Sequence, residues 1–382
     1  MKNVNNSTSE NNYLIITQGT PDNKSVTANI NKLLKIIFSL SQNTVLITYC
    51  DKNMINLDEN CIYLVYPQKN PILRFITGQL STVFLILKIV MQNKIDYVFF
   101  SFGEDLEILP ILCVKLLNKR VILRSDGRPS LILKRYIKKF NPLKFFFFTI
   151  IEEINYRLAD VLITESNFML YDNNFIKYGN TNNGCLFVDL EKFKIEKRSN
   201  QRYFDIGYIG RFHPEKGINN FLACIPEIIK LKPDIRIFIG GDGELGKEIE
   251  FTIKKLNFPK NVFLNKWISF DEMSIYLNNI KLLVIPSVKE GLPNTLLEAL
   301  ACGTLVLATP VGGIPGVIQD RKRGFIMEDN TPECITKNIM RALNYPDHEK
   351  IIEDGREFIK TEHSYENSIK CFTAVICKCA RR

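Results

Sequence analysis

Short runs of β-branched and aromatic residues return along this chain at intervals filled by longer helical patterns, and this alternation constrains the fold more than any other feature. YLIIT at 13–17, TVLITYC at 44–50, CIYLVYP at 61–67, DYVFFSF at 96–102, RVILRS at 120–125 and DVLIT at 160–164 read as strands, apolar on both faces. Helical patterns separate them around Ala28–Leu40, Ile72–Met91, Leu106–Leu117 and Leu131–Leu158. Strands without a polar face, each followed by a helix, belong in parallel sheets covered on both sides, so the class is α/β.

The pattern stops at the polar stretch EKRSNQR (196–202) and then restarts with FDIGYIG, IRIFIG, NVFLN, KLLVIPS, TLVLAT and GFIM. A chain of 382 residues exceeds what one core usually accommodates. The expectation is a polar tail over 1–12, a first doubly wound domain over 13–199, a second over 200–362, and a terminal helix in 363–382 that packs back on the first.

Composition narrows the class further. With 46% hydrophobic and 24% charged residues the chain suits a packed globule. Its ten cysteines form no CxxC pair and its histidines are only three (His213, His348, His363), which favours neither a zinc site nor a disulfide framework and points to a reducing cytoplasm. The start, MKNVNNSTSENN, lacks a signal-type apolar core, and no apolar run reaches spanning length, so the expectation is no export and no membrane span.

The net charge of +9 is unevenly spread. Leu131–Ile151 holds Lys134, Arg135, Lys138, Lys139 and Lys144, no acid, and the run FFFF. Such a block is a candidate contact for anionic lipid on the inner face of a membrane, the plainer reading being a solvated helix face followed by core aromatics. No nucleic-acid motif accompanies the charge, and no nucleic-acid partner is expected.

In open parallel sheets ligands bind beyond the carboxyl ends of strands, and three loops there carry suitable chemistry. GRFHPEKG begins at Gly210 and supplies two cations, Arg211 and Lys216, before a helix whose positive end points the same way. GGDGELG places Gly241, Gly243 and Gly246 in a G-x-G-x-x-G spacing. A dinucleotide fingerprint needs an acid at the end of the next strand, yet that strand ends in Asn265 and Lys266, so Gly241 and Gly243 read as a tight turn presenting backbone to a ligand.

The third loop, EGLPNTLLEALACG, sends Glu290 out of a buried strand and starts a helix at Asn294, with Glu298 one turn on. On the polar face shared with Asn294, Glu298 could accept both ribose hydroxyls while the free amides of the first turn meet phosphate. Glu290, outside the helix, would reach the sugar.

Together GRFHPEKG, GGDGELG and KEGLPNTLLEALACGTLVLATPVGGIPGVI resemble the donor half of retaining glycosyltransferases of the large GT-B family with the E-x7-E motif, the family 4 or group 1 type that includes bacterial mannosyltransferases and sucrose and glycogen synthases. The resemblance implies two Rossmann-like domains facing a cleft, Glu290 and Glu298 as the paired glutamates, Arg211 and Lys216 as phosphate-binding cations, and the backbone from Gly291 through Leu292, Pro293 and Asn294 to Thr295 around the diphosphate. The first half is similar more loosely, through ADVLITESNFM and TNNGCLFVDLEKF, which carry Ala159, Asp160, Ser166, Asn183, Gly184, Asp189 and Phe193. It departs where relatives place histidine and aspartate near the sugar, having Ser125, Asp126 and Gly127, and its first loop has Gly19 but no double glycine.

The function implied is transfer of a hexosyl group from a UDP- or GDP-sugar to a glycan or lipid-linked saccharide, with retention, Asp126 being the contact from the first domain. The pair D-x-D, which usually holds a divalent ion on the diphosphate, is absent from the sequence, so no metal or other cofactor is expected. Two rivals use the same donor pocket: a nucleotide-sugar epimerase of this fold, and a catalytically silent binding protein.

Overall fold

The structure is a computed structural model that describes residues 11–17, 24–41, 43–48, 61–63, 71–101, 106–125, 127–128, 130, 142–257 and 260–380. The chain divides into two compact units, Met1–Phe187 joined by Tyr365–Arg382, and Val188–Ser364. The division falls before the polar stretch that marks the boundary in the sequence. Phe193 is already buried in the second unit's core, and Val188 N–H donates to His363 O at 2.9 Å, also within that unit.

The first unit runs β1 (Asn12–Thr17), α1 (Lys24–Phe38), β2 (Asn43–Thr48), β3 (Cys61–Tyr63), α2 (Pro71–Gln92), β4 (Tyr97–Ser101), α3 (Ile108–Leu116), β5 (Arg120–Arg124), α4 (Pro142–Leu158), β6 (Val161–Thr164), α5 (Asn167–Asp172) and β7 (Thr181–Asn183). Its sheet is parallel throughout, in the order β3-β2-β1-β4-β5-β6-β7. β7 is absent from the sequence reading because TNN has neither apolar nor β-branched character beyond one threonine; its register with β6, Leu162 opposite Thr181, supplies what propensity does not.

Right-handed crossovers assign the helices to faces. Those made in the β3-to-β7 direction, α2, α3 and α4, cover one face over the cluster Ile86, Ile89, Ile111, Val114 and Tyr156. On the other, α1 packs on Tyr13, Ile15 and Phe99 with the last helix of the chain, which brings Phe372, Val375 and Ile376 into the same cluster. Ser166, one of the residues of resemblance, caps α5, its Oγ accepting from Met169 N–H at 3.4 Å.

α2 corrects one expectation of the sequence. Read as a run of apolar residues, no segment reaches spanning length, but as a helix Phe75–Gln92 is 18 residues long with mean hydropathy 1.5, long and apolar enough to cross a membrane. Scattered Thr, Ser, Gly and Gln interrupt the run without lowering the average enough.

The second unit runs β8 (Phe204–Ile209), α6 (Ile218–Leu231), β9 (Ile237–Gly240), α7 (Gly246–Leu256), β10 (Val262–Asn265), α8 (Met273–Asn279), β11 (Ile280–Ile285), α9 (Asn294–Ala301), β12 (Leu305–Ala308), α10 (Ile314–Val317), β13 (Phe325–Ile326), α11 (Pro332–Leu343) and α12 (His348–Glu362), and the final α13 (Tyr365–Ala380) returns to the first unit. Its parallel sheet has the order β10-β9-β8-β11-β12-β13. Strand order reverses between β8 and β11, which opens a crevice beyond their carboxyl ends, where the loops Gly210–Gly217 and Pro286–Pro293 begin.

A candidate donor site at the switch point of the second unit

The loop after β8 is folded before any ligand is considered. Gly210 N–H continues the ladder to Gly240 O at 3.1 Å, and the buried Phe212 anchors the next turn, its N–H donating to Asp242 O at 2.8 Å. His213 then starts a 3₁₀ turn, Pro214–Lys216, with Nδ1 accepting from Glu215 N–H at 3.4 Å. Gly217 ends it at φ +68°, with its missing side chain directed at Pro286 O only 1.9 Å from an ideal Cβ. Only glycine lets this loop pass so near β11's end.

Gly241 and Gly243 have a packing role that the sequence does not reveal. At φ +147° an ideal Cβ on Gly241 would lie 1.9 Å from Gly210 O, and one on Gly243 would lie 2.6 Å from Phe212 O. These glycines allow the second loop to seat against the first, which accounts for both without a ligand. The G-x-G-x-x-G spacing is thus a packing device between neighbouring strand ends.

At the mouth of the two strands the charged groups meet. Lys216 Nζ lies 2.6 Å from Glu290 Oε2, and Ser287 Oγ donates to Glu290 Oε1 at 2.7 Å. Thr309 Oγ1 in turn donates to Ser287 O at 2.5 Å. Both members of the ion pair are largely shielded, 17% and 9% exposed at the side chain, so the contact is stronger than a surface pair. Tyr208 stands behind them with its hydroxyl donating to Arg211 O at 3.0 Å; burial, then the Glu290 charge, raises its pKa far above the ordinary tyrosine value, so it stays a neutral donor.

Arg211 lies further out, half exposed, with Nη2 at 2.9 Å from Glu215 Oε1. Val288 N–H donates to Glu215 O at 2.8 Å, which ties the two loops together again. Arg211 and Lys216 therefore come from one loop but face different carboxylates. His213 Nε2 lies 3.3 Å from Glu244 of the second loop.

The backbone from Gly291 to Thr295 is half-buried and turns beneath a tight loop, where Gly313 N–H donates to Gly291 O at 2.6 Å and Leu292 packs on Gly313. Pro293 opens α9 in an extended conformation and contributes no side-chain cap. Glu298 is 5% exposed, and every residue of α9 from Leu296 to Ala301 is buried. α9 packs on β12 and α12, so this short helix has no solvent side. A carboxylate in that setting must be held by specific donors.

Ser287, Thr309, Tyr208 and Glu215 are the members that sequence reading misses. Ser287 carried a usable signal, three residues ahead of Glu290 at the end of a strand; the others become visible only through their partners. Gly19 and Asp126, and Lys134, Arg135, Lys138 and Lys139, lie outside the described residues.

Two parallel doubly wound units with these topologies make the fold GT-B, the architecture of a large class of glycosyltransferases. Residues 189–358 match the model of the family "Glycosyl transferases group 1". An uncharacterized glycosyltransferase of Methanocaldococcus jannaschii is 32% identical over 163 residues, 42% of this chain and 44% of that one. The lipopolysaccharide 1,2-N-acetylglucosaminetransferase of Salmonella typhimurium is 28% identical over 174 residues, 43% and 46% of the two chains. The matched region thus spans less than half the length of either relative. Structural likeness extends further: the Anabaena HepE protein, solved in complex with UDP and glucose, superposes with a TM-score of 0.74 at 13% identity over 96% of this chain and 100% of its own. Sucrose-phosphate synthase from Thermosynechococcus elongatus gives 0.76 at 15% identity, over 97% and 99%.

Proposed function

We propose that the protein transfers a hexosyl group from a nucleotide diphosphate sugar, UDP- or GDP-linked, to a glycan or lipid-linked saccharide with retention of anomeric configuration, in the cytoplasm. The observation that carries this reading is the convergence of Lys216 and Glu290 at the sheet's switch point, beside the uncapped start of α9. The Salmonella relative named as an N-acetylglucosaminetransferase and the Anabaena structure with UDP and glucose support the same donor class.

In this reading a diphosphate seated between the two loops takes the Lys216 ammonium, with Arg211 and the α9 amides on its other oxygens. Glu290 is then turned toward the sugar, still held by Ser287, and Glu298 receives the ribose hydroxyls. The acceptor oxygen bonds to the anomeric carbon on the face from which the diphosphate departs, the bond from that carbon to the β-phosphate oxygen breaks, and the acceptor proton passes to a phosphate oxygen. The protein supplies positioning and preorganised positive charge. An epimerase would use the same pocket without an acceptor, but no observation favours it.

Two measurements check the reading. A panel of UDP- and GDP-sugars incubated with the purified chain identifies the donor through slow hydrolysis, and NMR of the glycosylated product then gives the anomer; an α-linked donor yielding a β-linked product contradicts retention. Activity is also expected to survive a chelator, because two cations and a helix terminus take the place of the absent D-x-D pair. Loss on chelation with recovery on magnesium or manganese would refute metal independence. Peripheral attachment through Lys134, Arg135, Lys138 and Lys139 belongs to the same proposal and implies binding to anionic vesicles that weakens with salt.

A further inference from the structure

The helices α2, α3 and α4 form one layer over the first unit's sheet, and the outward side of that layer is apolar where an α/β protein ordinarily places charge. On α2 the stripe Leu80, Phe84, Leu87 and Met91 follows helical spacing and points away from the core, Phe84 being 66% and Met91 86% exposed. Its opposite side, Gln79, Thr82, Ile86 and Ile89, is buried. On α3 the exposed apolar residues are Leu109, Leu112 and Leu116, the last 87% exposed, and on α4 they include Phe146, Phe147 and Ile150. α3 packs on both α2 and α4, so the three stripes adjoin.

The charges around this face have one sign. Lys88 and Lys94 are exposed at the far end of α2, and the basic block 131–141 directly precedes α4 in the chain. The acids of the layer are occupied. Glu107 and Glu152 are buried, Glu152 accepting from Ser130 Oγ at 2.6 Å. Glu153 is held by Lys177 at 2.9 Å, Arg157 at 3.0 Å and Tyr178 at 2.7 Å. A broad apolar surface with lysine at its margin and, among the described residues, no exposed carboxylate matches an anionic bilayer interface, whereas the rim of a protein partner or a second copy would be expected to present both signs.

We propose that this outward face of α2, α3 and α4 is a membrane-insertion surface, lying in the interface of an anionic bilayer with its side chains among the acyl chains. The helix α2 lies on the membrane and does not cross it. Ile86 and Ile89 belong to the sheet's core, and Gln79 links α2 to the start of α3 by accepting from Leu109 N–H at 2.9 Å and donating to Leu106 O at 3.3 Å. Crossing would expose that core. The proposal differs from attachment by the basic block alone, which is electrostatic, and it stands whether or not the transferase reading does.

The test is co-sedimentation of the purified full chain with vesicles of phosphatidylcholine alone and of phosphatidylcholine with phosphatidylglycerol, at low salt and at about 0.5 M, where surface charge is screened to within a few ångströms. Wild type is expected to stay on the anionic vesicles at high salt. Two double variants, Phe84→Ser with Met91→Ser and Leu116→Ser with Phe146→Ser, should each weaken partitioning roughly tenfold or more while melting near wild type, since the replaced side chains are solvent-exposed. The pairs lie on different helices, so one that misfolds leaves the other to decide. Variants that bind like wild type overturn the proposal, as does wild-type binding abolished by salt. A chain that ignores vesicles overturns it too, including one that dimerises through this face and becomes monomeric in the variants.

Discussion

Lys216→Ala is expected to lower transfer by about 10²-fold or more, the effect of removing one preorganised charge from a leaving diphosphate, about 2.7 kcal/mol at the barrier. Folding should change little. The lysine sits at the end of a 3₁₀ turn whose shape is set by His213, Phe212 and Gly217, none of which depends on its ammonium. Its ammonium pairs with Glu290, which keeps the Ser287 hydroxyl when the lysine is gone. Arg211→Ala should act in the same direction, because among the described residues its guanidinium pairs with Glu215 alone and it lies beside the same mouth. Steady-state rates measured with the identified donor, alongside melting temperature, separate the two quantities. Near-normal transfer by Lys216→Ala would remove the lysine from the leaving-group role.

The second large effect concerns stability. Arg202 is 4% exposed and reaches five acceptors with the four N–H bonds of its two Nη atoms, one of them shared: Nη1 faces Leu277 O at 2.9 Å, Ile280 O at 2.9 Å and Thr304 Oγ1 at 2.7 Å, Nη2 faces Cys302 O at 2.7 Å and Lys197 O at 3.2 Å. Burial lowers its pKa to about 10, which leaves it charged at neutral pH. One side chain thus joins the end of α8, the start of β11 and the turn after α9. Arg202→Met should destabilise the second unit by about 3 kcal/mol or more, since it strips donors from several buried carbonyls at once. Arg202→Lys should recover only part of this, an ammonium being unable to reach the same spread of acceptors. Urea unfolding followed by fluorescence of Trp267, in the same unit, reads the difference; a loss under about 1 kcal/mol would show that the network is redundant.

Arg202 also shows where sequence reading stops. In the chain it is the last letter of EKRSNQR, which reads as a solvated linker because its neighbours are polar and nothing local marks one arginine as different. Four of its five acceptors lie 75 to 102 residues away. The donor loops were legible for the opposite reason: Gly210, Arg211, Lys216, Glu290 and Asn294 all sit directly after strands that announce themselves by apolar, β-branched runs, and strand ends in a parallel sheet fall at the ligand-binding edge.

What the sequence alone determined was the succession of elements, the doubly wound class and the address of the site, because hydrophobic period and strand-end position are local properties. Tertiary structure decided which residues there touch. Gly241 and Gly243 look the same in the sequence whether they face a phosphate or a neighbouring loop, and only the approach of Gly210 and Phe212 assigns them to packing. Glu298 shares a helical face with Asn294 in the sequence, and only the packing of α9 on β12 and α12 shows that Glu298 is buried while Asn294 is half-buried. The outward stripes of α2, α3 and α4 read as core for the same reason: an apolar residue at helical spacing is taken to face inward, and the sequence does not say that the inward side is already filled by Ile86, Ile89, Val114 and Tyr156.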